Sequence, residues 1–153
     1  MITKKLDSFK VIGIAIRTTN ENNQAAKDIP ALWNTFMSQE IISKIPNKVD
    51  ESIYAIYTEY ESDYTKPYTT ILGCKVEHTD VVPEGMVTTT IQHGNYSEFV
   101  ATGDLYQNVV VHEWQKIWND TSLDRTYKTD FEIYGPEAKD HSNAKVPIYV
   151  GIQ

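Results

Sequence analysis

One pattern, strand–helix–strand–strand, runs through this chain twice at nearly equal spacing. "FKVIGIAIRTT" (9–19) is β-branched and alternating, which predicts a strand. The polar run "NENNQAAK" predicts a loop, and Asp28 an N-cap with Pro30 in the first helical turn. Ile29, Trp33, Met37 and Ile41 recur at helical spacing, so at least 29–37 reads as helix. Strands follow at "SIYAIYTEYES" (52–62) and "YTTILGCKVEH" (68–78). The pattern then restarts: "MVTTTIQHG" (86–94) reads as a strand, "NYSEFVATG" as a loop, and Asp104 opens a helix through Asn119 on which Tyr106, Val110, Trp114 and Ile117 share a face. "YKTDFEIYGPE" (127–137) and "KVPIYVGIQ" (145–153) close it as strands. Eighteen residues separate Lys10 from Asp28, and eighteen separate Met86 from Asp104.

Each β-α-β-β unit is too small to bury its sheet alone, so the two are expected to join about a pseudo-two-fold axis. The expected fold is α+β: tandem duplicated β-α-β-β units forming one curved antiparallel eight-stranded sheet with helices on its outer face, of which the pattern itself marks six strands. A single domain over 1–153 is expected, with repeats at about 9–79 and 85–153.

Composition removes several classes of function. A net charge of -7 without a basic stripe argues against direct nucleic-acid binding. The single Cys74, in an apolar strand pattern, excludes a disulfide framework and reads as a small core residue. His78, His93, His112 and His141 show no metal-ligand spacing, so no metal is expected, and His93 in "QHGNY" reads as part of a turn. The seven glycines are scattered rather than forming a phosphate loop, no Ser-His-Asp or Cys-His arrangement is visible, and no cofactor is expected. "MITKKLDSFK" lacks the apolar run of a signal peptide, and no stretch approaches the ~20 apolar residues of a membrane span. The expectation is a cytoplasmic chain that does not meet a membrane.

Four stretches, "DIPALWNTF", "SIYAIYTEYESDYTKPYTTILG", "HGNYSEF" and "DFEIYGPE" with the closing "VPIYVGIQ", together resemble the gyrase-inhibitor-like family, also called the AraC-type effector-binding domain. The likeness runs from about Phe9 to the end. It implies a groove between the halves that binds small, often aromatic and cationic molecules. It also implies partners such as a transcription regulator or gyrase, or a standalone role in drug or toxin sequestration. The family's acidic ligand anchor corresponds to Glu132, its terminal-strand tyrosine to Tyr149, and a groove-end aromatic to Trp33. Pro147 stands where the family's terminal strand often carries a second acid.

Strand alternation supplies an independent reading. Phe131 and Ile133 share one face, and Asp130, Glu132 and Tyr134 the other. In the last strand Val146, Ile148, Val150 and Ile152 oppose Pro147 and Tyr149. If the apolar sides pack under the helices, Glu132, Tyr134 and Tyr149 point to the opposite surface and line the groove. Shifting by 75 residues between the halves matches Tyr57 to Glu132, placing a tyrosine across the axis from the acid. Trp114 and Tyr106 are further candidates for the groove wall. An antiparallel strand with one wet face presents a glutamate to solvent equally well, and the family resemblance favours the groove.

Three functions follow. The first is a binding protein for hydrophobic, aromatic, cationic small molecules, held by Glu132, Tyr57, Trp33, Tyr149, Tyr134, Tyr106 and Trp114, with no catalytic residue. The second is a hydrolase of strained electrophiles using Glu132 as general acid or base. The third is an acidic interaction module that inhibits gyrase or a repressor.

Overall fold

The computed structural model describes residues 2–153. Eight strands form one antiparallel sheet: β1 (Ile2–Leu6), β2 (Phe9–Thr18), β3 (Ile53–Thr58), β4 (Tyr68–Val76), β5 (Val87–Ile91), β6 (Gly94–Gly103), β7 (Arg125–Tyr134) and β8 (Ala144–Ile152). Three helices, α1 (Ala25–Ser38), α2 (Ile41–Lys44) and α3 (Val109–Asn119), lie on one side of it. No helix among the described residues is long and apolar enough to cross a membrane.

The strand order β1-β6-β8-β7-β3-β4-β2-β5 dictates the curvature. In a flat sheet β1 and β2 would stand six strand spacings apart, about 29 Å. Only Asp7 and Ser8 connect them, a reach of about 10 Å. Gln92 and His93 impose the same limit on β5 and β6. The sheet must curl until its edges approach. Leu6 of β1 and Ile91 of β5 accordingly pack on the same cluster as Phe131, Tyr54 and Ile56, on the face that carries no helix.

The helix-side face holds two clusters. Leu32 and Phe36 of α1 pack on Ile12, Ala55, Leu72 and Cys74, while Trp114 and Ile117 of α3 pack on Val146, Ile148 and Val150. Between them runs the seam where β3 pairs with β7, Ile56 opposite Phe131 and Ala55 opposite Glu132. Cys74 is a fully buried free thiol in the first cluster.

Several local expectations require correction. "NYSEFVATG" is strand β6, not a loop: pairing with β1 on one side and β8 on the other overrides its polar composition. The strand before α3 is thus β6, and the expected 86–94 strand is the edge strand β5, paired only with β2. Ile2–Leu6 form a strand that the pattern did not show. Helix α1 starts at Ala25, so Asp28 is not its cap; its carboxylate accepts from Thr18 Oγ1 (2.8 Å) and Gln24 Nε2 (3.0 Å). Ala25, Leu32 and Phe36 form the buried stripe of α1, leaving Met37 60% exposed. Asp104 caps a short 3-10 turn (Leu105–Gln107), and Asn108 at φ 59° separates it from α3. Tyr106 therefore does not share the α3 face with Val110 and Trp114.

Gly13 of β2 pairs directly with Gly73 of β4, where neither residue has room for a side chain. A Cβ on Gly13 would stand 2.0 Å from the Leu72 carbonyl oxygen. Gly13→Ala is expected to lower unfolding free energy by about 1–3 kcal/mol. Urea denaturation checks this, and an unchanged midpoint would show that the backbone yields there.

Candidate functional site

Glu132 sits at the middle of the seam, on the helix side and 1% exposed. Its Oε2 accepts from Tyr57 Oη at 3.0 Å and Trp114 Nε1 at 2.5 Å, and its Oε1 from Tyr134 Oη at 2.8 Å. Among the described residues no lysine or arginine pairs with it. The expectation that Glu132 faces away from the helices is corrected. On β8 the apolar residues do pack under α3, but on β7 Phe131 and Ile133 lie on the helix-free face, so Glu132 and Tyr134 turn toward the helices.

The structure gathers Tyr57, Trp114 and Tyr134 about the carboxylate. Small Ala55, its ladder partner, leaves room for the rings, and Tyr57 meets Trp114 edge-on at 5.6 Å. Burial pushes the Glu132 carboxyl above its ordinary range, and the three donors pull it back only in part. Burial first, and then the Glu132 charge, hold the Tyr57 and Tyr134 phenols well above their usual value, so both remain donors.

Tyr134 also forms part of a groove of about 600 Å3 between the two helix-side clusters, walled by Trp33, Met37, Ile53, Tyr106 and Val110. Trp33 meets the Tyr134 ring edge-on at 4.9 Å. Tyr106 stands at the rim, 76% exposed, its hydroxyl 3.2 Å from His141 Nδ1. The seven candidate residues thus fall into three places: Trp33, Tyr106 and Tyr134 on the groove; Glu132, Tyr57 and Trp114 behind Tyr134; and Tyr149 elsewhere. The placement of Tyr149 is a correction. Antiparallel partners share a face, and Tyr149 opposes Phe131, whereas Glu132 opposes Ile148. Tyr149 stacks on Phe131 at 5.0 Å on the helix-free face and donates to Glu98 at 2.5 Å.

Asp130 is equally buried two residues away, with a different outcome. It accepts from Arg125 Nη2 (2.8 Å), Tyr60 Oη (2.6 Å) and the Gly151 N–H (2.9 Å). Strict alternation places Arg125 on the opposite face from Asp130, so this pair was not foreseen. A bulge between 125 and 130, with Tyr127 at φ 52°, brings the arginine round. β3 ends at Thr58 rather than continuing to 62, which frees Tyr60 from the strand alternation and lets it reach Asp130.

The fold is two related half-sheets with a carboxylate sunk at their junction. Residues 3–152 match the family described as integron-associated effector-binding proteins, and the chain belongs to that family, within the gyrase-inhibitor-like group that its motifs resemble. It is 30% identical over 151 residues to the putative transcriptional regulator protein YobU of Bacillus subtilis (strain 168), covering 97% of this chain and 94% of YobU. It is similar to an integron cassette protein from the mobile metagenome of Vibrio cholerae, with a TM-score of 0.77, 32% identity, and 99% and 95% of the two chains covered. SAV2435, solved bound to tetraphenylphosphonium, shares the fold at a TM-score of 0.82 and 15% identity, covering 99% and 93%.

A raised native pKa on a carboxyl means that the folded state holds its proton more tightly than the unfolded chain does. Its contribution is intact below the unfolded value and lost as pH rises through the native one. Glu132→Gln keeps the side chain's size and one acceptor oxygen without the charge, its NH2 facing a Tyr134 hydroxyl that can turn to accept. The variant should therefore melt higher than the wild type at pH 7.5, with the gap closing toward pH 4. Thermal melts across that range test this, and a gap that widens on acidification would reverse the assignment.

Proposed function

We propose that this chain is a receptor for hydrophobic aromatic cations, taken up in the groove between its halves and anchored electrostatically by Glu132. The observation that carries this reading is a buried carboxylate without a counter-ion, ringed by phenols and an indole and separated from the groove by the Tyr134 ring. Burying a carboxylate costs several kcal/mol unless it is paired. An organic cation supplies the missing partner, and each aromatic face adds about 0.5–2 kcal/mol of cation–π attraction.

To reach the carboxylate, the ligand displaces Tyr134 and takes over its place beside Oε1. Trp33 and Met37 offer a flat surface and a pliable one, so shape is weakly read and charge strongly. The likeness to YobU, whose name is that of a putative transcriptional regulator, supports a role in the cytoplasm in which ligand occupancy is passed to the transcription machinery or the ligand is simply sequestered.

Tetraphenylphosphonium is the natural first probe, given its presence in a protein of the same fold. Triphenylphosphine oxide, neutral and carrying three of the same phenyl rings, is the control. Titration calorimetry should show the cation binding to the wild type and at least about ten-fold more weakly to Glu132→Gln, with little response to the oxide. Equal affinity of the wild type and the variant for the cation would remove Glu132 as the anchor.

A further inference from the structure

The second buried acid lies beside an arginine with unused hydrogen-bonding capacity. The Arg125 side chain is 4% exposed, and only Nη2 finds an acceptor, on Asp130. Among the described residues Nε and Nη1 have no partner. The Tyr127 ring lies 4.3 Å from the guanidinium carbon and the Trp114 ring 5.9 Å from it. An aromatic face near the guanidinium adds cation–π attraction but supplies no lone-pair acceptor for the idle N–H groups. A buried donor without an acceptor is costly, and this group has two such nitrogens with three N–H bonds between them.

The idle donors adjoin the Glu132 site. Trp114 donates its indole N–H to Glu132 and turns its ring toward Arg125. Asp130 and Glu132 share a face two residues apart on β7, a separation of about 7 Å. Asp130 already offsets the guanidinium charge, so the idle donors suit a neutral oxygen better than an anion. Thr70 Oγ1, on the ladder neighbour of Tyr57, is likewise buried and without a protein partner.

We propose that Arg125 Nε and Nη1 form a second subsite that donates to a carbonyl oxygen, so that the preferred ligand is an aromatic cation that also carries a ketone, ester or amide. The proposal rests on the reading of Glu132 as cation anchor and extends it to the ligand's other end. Charge selects the class of molecule, and the carbonyl selects within it.

Two matched probes test it: (4-acetylbenzyl)trimethylammonium and its isostere (4-isopropenylbenzyl)trimethylammonium, which replaces the carbonyl with a more hydrophobic alkene. In an NMR titration of the wild-type protein, the acetyl compound should bind about ten-fold more tightly and move the Arg125 Nε–H resonance, which the alkene leaves in place. Arg125→Lys keeps a positive partner for Asp130 and should abolish the preference while retaining tetraphenylphosphonium; if that variant does not fold, the wild-type comparison decides alone. Equal binding of the two compounds with a stationary Arg125 signal, and both weakened in Glu132→Gln, would show that water serves those donors; it would overturn the subsite and leave the cation anchor standing. Failure of both compounds while tetraphenylphosphonium binds would overturn the subsite as well. Failure of all three would remove the anchor with it.

Discussion

The site is organised around one carboxylate placed in the interior with no cation among the described residues to meet it. Glu132 and Asp130 are two residues apart on one strand, on one face, and each is at most 1% exposed. Asp130 receives an arginine, a phenol and a backbone N–H, and closes into a neutral unit that joins the bulge of β7 to β8. Glu132 receives only neutral donors. A chain selected for stability alone would have little reason to keep the second arrangement, since a neutral amide of the same shape accepts from Tyr57 and Trp114 on its oxygen and can donate its NH2 to the Tyr134 hydroxyl. Such local conflicts with folding economy are where function is expected to reside.

The duplicated architecture explains how one charge comes to sit at a junction. The sheet curls because β1 and β5 each pair with a strand of the other half while remaining tethered by two-residue connections. That crossing fixes β3 against β7, with Ile56 opposite Phe131 at the centre. Positions 57 and 132 are then related across the seam, and the halves have diverged there into a donor and an acceptor, Tyr57 and Glu132, which bond to each other. Ala55 and Asp130 are related in the same way. The small residue opens the space over the acid that Tyr57, Trp114 and Tyr134 fill.

Much of this was legible because alternation and element spacing are local properties. The parity of Asp130, Glu132 and Tyr134 and the 75-residue relation of Tyr57 to Glu132 needed nothing beyond the chain itself. What failed depended on partners distant in sequence. Polar β6 reads as a loop until β1 and β8 are seen on its two sides. Which face the helices cover cannot be read from parity when one strand turns its apolar residues up and its neighbour turns them down, as β8 and β7 do. Tyr149 was misplaced for that reason, since register and not residue type decides which side chains are neighbours. Arg125 was invisible because a bulge breaks the alternation on which the reading relied.

Tyr134 ties groove and acid together in a single side chain. One face of its ring forms groove wall beside Trp33, and its hydroxyl satisfies Glu132 from the other side. Under the proposed function, an entering cation exchanges one partner of the carboxylate for a better one rather than opening an empty cavity. A neutral molecule of equal size would break the same bond and return nothing to the acid. Under the proposed function, discrimination by charge is thus built into the closed state: the bond that seals the site is one that only a charged ligand replaces at a gain.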